Sequence, residues 1–125
     1  MTVPHERTRA INWGKELLAT IEKDDSIPAP LRARARELDL EYPTAPALRD
    51  WLIAGEKGLP AAWATNIASA YELFIAVQWP VVGCEETRRE LIATLRHFPD
   101  PWTVERIARD NQAIAGWLLP AERYR

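Results

Sequence analysis

Four polar side chains crowd the start of the chain: His5, Glu6, Arg7 and Arg9. On a helix His5 and Arg9 stand four residues apart on one face, and Arg9 can lay its guanidinium on the ring of Trp13. Arginine holds carboxylate or phosphate oxygens in pairs, so Arg7 or Arg9 could serve as the fork of an anion clamp. The plainer reading is that Glu6 and an arginine make interhelical salt bridges that fix the first helix. A second cluster, Arg96-His97, stands immediately before Phe98-Pro99. A histidine in the last turn suits the negative end of the helix dipole and reads as a cap. As a general base it would need a carboxylate or nucleophile nearby, and none lies at useful sequence spacing. If Arg7, Arg9, Arg96 and His97 converge in space, they line a pocket for a small molecule.

Other chemistry finds less support. Cys84 opens a helix, where thiolates are favoured in general, but Glu85 and Glu86 follow it and oppose one. Two histidines and one cysteine offer no ligand-spaced pair, so no metal or other cofactor is expected. Glycine-rich phosphate loops, the Gly-x-Ser-x-Gly elbow and His-Glu-x-x-His are absent from the sequence. Residues 88–112 can be read as a helix-turn-helix, with Thr103, Arg106, Arg109 and Asn111 available to DNA. Its break holds two prolines and no glycine, which favours a plain corner between helices.

Six tryptophans are many for 125 residues. Trp79 and Trp102, beside prolines at loop ends, are the candidates for a partner surface, where aromatics concentrate. The alternative is that the tryptophans fill gaps between short helices.

The bulk numbers set the frame. A chain of this length suits one domain with one core, and 47% apolar with 27% charged residues argues against disorder. Sixteen basic and eighteen acidic residues give a net charge of −2. Split after Gly58, the charges fall nine basic and ten acidic, then seven and eight, so neither half is basic enough to favour nucleic acid. A lone cysteine forms no internal disulfide and suits a reducing cytoplasm. The charged start reads as no secretory signal, and the stretch from Gly58 to Cys84 is too interrupted to span a bilayer.

Apolar spacing of three and four recurs, and strand-like alternation does not. The expected fold is all-α, a compact bundle of five to six helices in a single domain. Helix one should run from Pro4 to Lys23, with Ile11, Trp13, Leu17, Leu18 and Ile21 toward the core. Helix two, Pro30 to Glu41, buries Leu31, Ala35, Leu38 and Tyr42, and stops at Pro43. A short third helix, Pro46 to Ala54, turns Leu48, Trp51 and Leu52 inward and ends at Gly55. The fourth, Ala61 to Gln78, is the apolar central one. Helix five, Glu85 to His97, buries Leu91, Ile92, Leu95 and Phe98. Asp100-Pro101 signals an N-cap and a first-turn proline for helix six, through Leu118.

The halves 4–55 and 60–118 echo one another. KELLATI lies over YELFIAV, and Tyr42-Pro43 over Phe98-Pro99, at an offset of 56. An internal repeat would give two related helical halves; shared packing physics would produce the same likeness.

The stretch PHERTRAINWGKELL, then IPAPLRARARELDLEYP, together with Leu95-Arg96-His97-Phe98-Pro99, resembles a small uncharacterised proteobacterial family. Its members carry a Pro-x-Glu-Arg-Thr-Arg-Ala start and a Leu-Arg-His-Phe/Tyr-Pro motif. The resemblance covers the first 43 residues and the 95–99 corner. It implies a bacterial, cytosolic setting and no particular chemistry.

The residues therefore point to a non-enzymatic helical protein that binds another protein, as a regulator, immunity factor or inhibitor, with a homodimer left open. A DNA-binding regulator using Thr103, Arg106 and Arg109, and a small-molecule pocket lined by the Arg/His motifs, are the alternatives.

Overall fold

Several described helices start where a proline removes an unpaired first-turn N–H or a side-chain oxygen accepts one. The computed structural model describes residues 3–55, 58–78, 83–109 and 117–119. In chain order the helices are α1 (Pro4–Lys23), α2 (Ala29–Glu41), α3 (Ala45–Ala54), α4 (Ala61–Gln78), α5 (Glu85–Leu95) and α6 (Pro101–Arg109). Pro4 opens α1, and Glu6 Oε1 reaches back to accept the Val3 N–H at 3.1 Å. Thr44 Oγ1 caps α3 by accepting from the Ala47 N–H at 3.2 Å, and Gly55 closes it at φ 72°. The Asp100 carboxylate accepts the Thr103 N–H at 2.8 Å at the head of α6.

Helix α5 is capped from a distance. Its N-cap residue is Cys84, whose side chain caps nothing. Asp24, just past the end of α1, takes that place: its Oδ2 accepts the Cys84 N–H at 2.9 Å and the Thr87 hydroxyl at 2.7 Å. Its Oδ1 accepts the N–H and hydroxyl of Ser26. These donors hold the Asp24 carboxyl well below the usual carboxylate range, the Ser26 hydroxyl contributing most.

The helices interleave. Helix α1 packs on α2 and α5, while α4 packs on α2, α5 and α6. The two halves thus exchange neighbours, α1 with α5 and α2 with α4, and share one core. That core joins Ile11, Leu17, Leu18 and Ile21 of α1 with Leu38 of α2, Ile67 and Phe74 of α4, Leu91 of α5 and Ile107 of α6. Apolar on most of its circumference, α4 meets four other helices, α1, α2, α5 and α6. Lys15 ties α1 to α2, with Nζ 3.0 Å from Asp39 Oδ1 and donating to the Asp39 carbonyl at 2.6 Å.

Both aromatic-proline corners turn inward. The Tyr42 hydroxyl donates to the Ile11 carbonyl at 2.6 Å, and Phe98 stacks on Tyr71 and meets Phe74 edge-on in α4. Between α3 and α4, Trp51 Nε1 donates to the Gly58 carbonyl at 2.9 Å and its ring meets Trp63 edge-on at 5.9 Å. Gly58 has φ 69°, and a Cβ there would stand 2.7 Å from the Ala108 carbonyl oxygen, so this position requires glycine on both counts.

Three expectations need correction. Helix α5 ends at Leu95, and Arg96 and His97 form the turn beyond it. Ile92, expected in the core, is 57% exposed. The buried stripe is Thr87, Leu91 and Thr94, and the Thr87 hydroxyl is satisfied there by donating to Asp24. Helix α6 was expected through Leu118; among the described residues it ends at Arg109, and Leu118 is fully buried without helical structure. The expected helix residues 110–116 lie outside the described residues. No described helix is long and apolar enough to cross a membrane.

Candidate functional site

Because α1 and α5 lie side by side, the first turns of α1 meet the end of α5. A hollow of about 370 Å³ opens there, lined by Arg9, Trp13, Arg89, Ile92, Ala93, Arg96 and His97. Arg9, Arg96 and His97, drawn from two separate sequence motifs, therefore do converge. The Arg9 guanidinium lies 5.2 Å over the Trp13 ring, which holds it by cation–π attraction at the rim. His97 Nε2 stands 3.7 Å from Glu6 Oε2, a carboxylate partner that only folding supplies. The Val3 N–H is the main reason the Glu6 carboxyl is held below its ordinary range, with the charges of His97, His5 and Arg9 helping. Arg89 and Arg96 lie exposed on the outer side, Arg89 at 3.9 Å from Glu85.

The polarity reverses along the same two helices. Beyond Trp13 and Ala93 a second hollow of about 250 Å³ is lined by Glu16, Glu90 and Thr94. Thr20 donates its hydroxyl to Glu90 at 3.0 Å. One face thus carries cationic groups at one end, carboxylates at the other, and Trp13 with Ala93 between.

Arg7 belongs elsewhere, contrary to the expectation that it lines the pocket. Its guanidinium lies 5.6 Å over Trp117, and Nη1 donates to the Trp117 carbonyl at 2.8 Å. Burial pushes its pKa down. Arg7 and Arg9 are about 200° apart around a helix, so one points to the chain's end while the other points to α5.

The partner-surface candidates divide. Trp102 is 63% exposed, with the Arg106 guanidinium 4.9 Å over its ring. It borders a shallow groove of about 480 Å³ between α4 and α6 whose walls include Ala61, Ala64, Ala68 and Ala108. Trp79 lies outside the described residues, as does Asn111. Of the DNA candidates, Arg109 pairs with Glu105 at 3.0 Å, Arg106 rests on Trp102, and the Thr103 N–H bonds Asp100. Helix α6 packs chiefly on α4, and α5 on α1 and α4, so the two helices of that unit share α4 as a neighbour.

Arg89 and Ile92 are site residues that sequence reasoning missed. Their spacing with Arg96, three and then four, marks one helical face, and assigning Ile92 to the core hid it.

The arrangement can bind anions and apolar groups together: arginine forks for carboxylate or phosphate oxygens, and the Trp13 ring with Ile92 for aliphatic or aromatic contact. The lining holds no hydroxyl, thiol or carboxylate nucleophile. Among the described residues no group of His, Cys, Asp or Glu is arranged to hold a metal ion. Cys84, an exposed free thiol, has its Sγ 3.4 Å from Thr87 Oγ1 at the far end of α5. Comparison with protein-family models, curated proteins and solved structures gives no match.

Proposed function

We propose that this chain is a non-enzymatic protein-binding module whose α1–α5 groove seats an acidic, partly apolar segment of a partner, as a regulator, immunity factor or inhibitor would. The observation that carries the reading is the meeting of Arg9, Arg96 and His97 with Arg89 around Trp13 and the exposed Ile92. Tryptophan and arginine are the residue types that most often dominate binding energy at protein interfaces. Stacking on Trp13 restricts Arg9 before a partner arrives, which lowers the entropy lost on binding. The cationic cluster would also steer an acidic segment toward the groove. Glu16 and Glu90 at the far end disfavour a polyphosphate backbone running along it, so a protein fits better than nucleic acid. The free cysteine suits a reducing cytoplasm as the place of action.

The test is site-specific photo-crosslinking in the native host, with a benzophenone side chain in place of Ile92. A discrete partner adduct is expected there, absent when the same group replaces Ile53, an exposed residue of α3. Arg9→Glu with Arg96→Glu should abolish the adduct, and Trp102→Ala should leave it. Adducts that survive the double reversal would end the reading.

A further inference from the structure

Two cationic side chains of the first hollow have carboxylates of their own chain beside them, Arg89 with Glu85 at 3.9 Å and His97 with Glu6 at 3.7 Å. Four other charges of the α1–α5 face are placed symmetrically about its centre. Trp13 and Ala93 line both hollows and mark the middle. On α1, Arg9 lies four residues to one side of Trp13 and Glu16 three to the other. On α5, Arg96 and Glu90 each lie three residues from Ala93. At about 1.5 Å per residue each of these four charges stands roughly 4–6 Å along the helices from the same central line.

Such a face is complementary to itself. A two-fold axis lying in the face, across α1 at Trp13, reverses the direction of both helices in the second copy. Arg9 then meets the second copy's Glu16, Arg96 meets its Glu90, and the two Trp13 rings come together at the axis. The other in-plane axis, along the helices, sets arginines on arginines and carboxylates on carboxylates, which repel. Only the antiparallel arrangement is favourable, and two-fold interfaces of this self-matching kind are the commonest in soluble oligomers.

We infer that the α1–α5 face pairs with the same face of a second copy of this chain, in an antiparallel homodimer centred on Trp13. This rests on reading the groove as a protein-binding face and names one of its occupants. The dimer covers the groove, so an outside partner must displace the second copy. The matching stretch, residues 9–16, is about 12 Å long. A face of that size falls short of the roughly 800 Å² per partner of a standard stable interface, so the dimer should be weak and, with charges at both ends, salt-sensitive.

Analytical ultracentrifugation of the purified chain tests this. Wild type should show a monomer–dimer equilibrium in the micromolar range that shifts toward monomer when NaCl is raised. Arg9→Glu/Arg96→Glu makes these four positions all acidic, and Glu16→Lys/Glu90→Lys makes them all basic. Each should be monomeric alone, and an equimolar mixture should form a 1:1 heterodimer. Wild type that stays monomeric throughout, reversed variants that dimerise as wild type does, or a mixture of helical variants that fails to associate would each overturn the inference. Should Glu90→Lys unfold α5 through its bond to Thr20, as circular dichroism would show, Glu16→Lys alone replaces it in the mixture. A monomeric wild type that still yields the Ile92 adduct with a host protein would remove the dimer and leave the proposed function standing. A dimer whose only Ile92 adduct is with itself would do the reverse.

Discussion

Tyr42 and Phe98, the aromatic residues of the two proline corners, close on the same glycine of α1. A Cβ added at Gly14 would stand 2.6 Å from the Tyr42 hydroxyl oxygen and 2.9 Å from Phe98 Cε2. Both rings are buried, and the Tyr42 hydroxyl is fixed by its bond to the Ile11 carbonyl. One missing side chain therefore lets the corner after α2 and the corner after α5 reach α1 together. The turn carrying Arg96 and His97, immediately before Phe98, is held beside Arg9 by the same contact.

Gly14→Ala is expected to destabilise the fold although alanine is the better helix former by about 1 kcal/mol. Overpacking against two confined rings costs about 1–3 kcal/mol, so the net loss should be up to about 2 kcal/mol. Tyr42→Phe removes the nearest atom and should recover part of that loss in the Gly14→Ala background. A double-mutant cycle by urea denaturation measures the coupling, and strictly additive effects would refute the shared contact.

Tyr42 alone gives a prediction in alkali. Burial raises its phenol well above the usual value near 10. A proton-releasing group whose folded pKa is raised contributes stability below the unfolded pKa and loses it as pH rises beyond. Wild type should weaken above about pH 10, and Tyr42→Phe should flatten that decline. At neutral pH the same substitution should cost about 1 kcal/mol for the lost hydrogen bond. Thermal melts from pH 7 to 11 check both.

Asp24 gives the opposite sign. Its folded pKa is depressed, so its contribution is present above the unfolded value near 4 and disappears as pH falls below it. Asp24→Ala should cost about 1–2 kcal/mol at pH 7, as loss of a helix cap does. Below about pH 4 the wild-type and variant stabilities should converge. Hydrogen exchange should locate the loss at the first turn of α5, at the N–H groups of Cys84 to Thr87. Equal loosening throughout the chain would count against a local cap.

Arg7→Ala should destabilise by about 1–2 kcal/mol, losing a hydrogen bond and a cation–π contact to Trp117. Lysine should not restore it, because a point charge cannot both stack and donate from a planar fork. Neither substitution should alter the Ile92 adduct, since Arg7 points away from the groove. Loss of the adduct in a folded Arg7 variant would contradict that separation.

Much of the architecture was legible in local chemistry. The bounds of α1 and α4 match the expected ones, because Pro4, Asp24-Asp25 and the apolar run after Pro60 act within a turn or two of where they stand. Asp100-Pro101 likewise names its own cap. The divergence of Arg7 and Arg9 was also readable, since residues two apart do not share a helical face.

The sequence by itself determined where α1 and α4 start and stop and where α6 begins, that no strand forms among the described residues, and which residue types are available for binding. The tertiary structure decided which of them meet. Asp24 caps a helix that begins sixty residues later, Glu6 finds His97, and Arg9 finds Arg96. It also decided that Ile92 faces out while Thr87 and Thr94 face in. The physical reason is range: capping and turn preferences act between neighbours in the chain, whereas the face a helix buries depends on the helix laid against it.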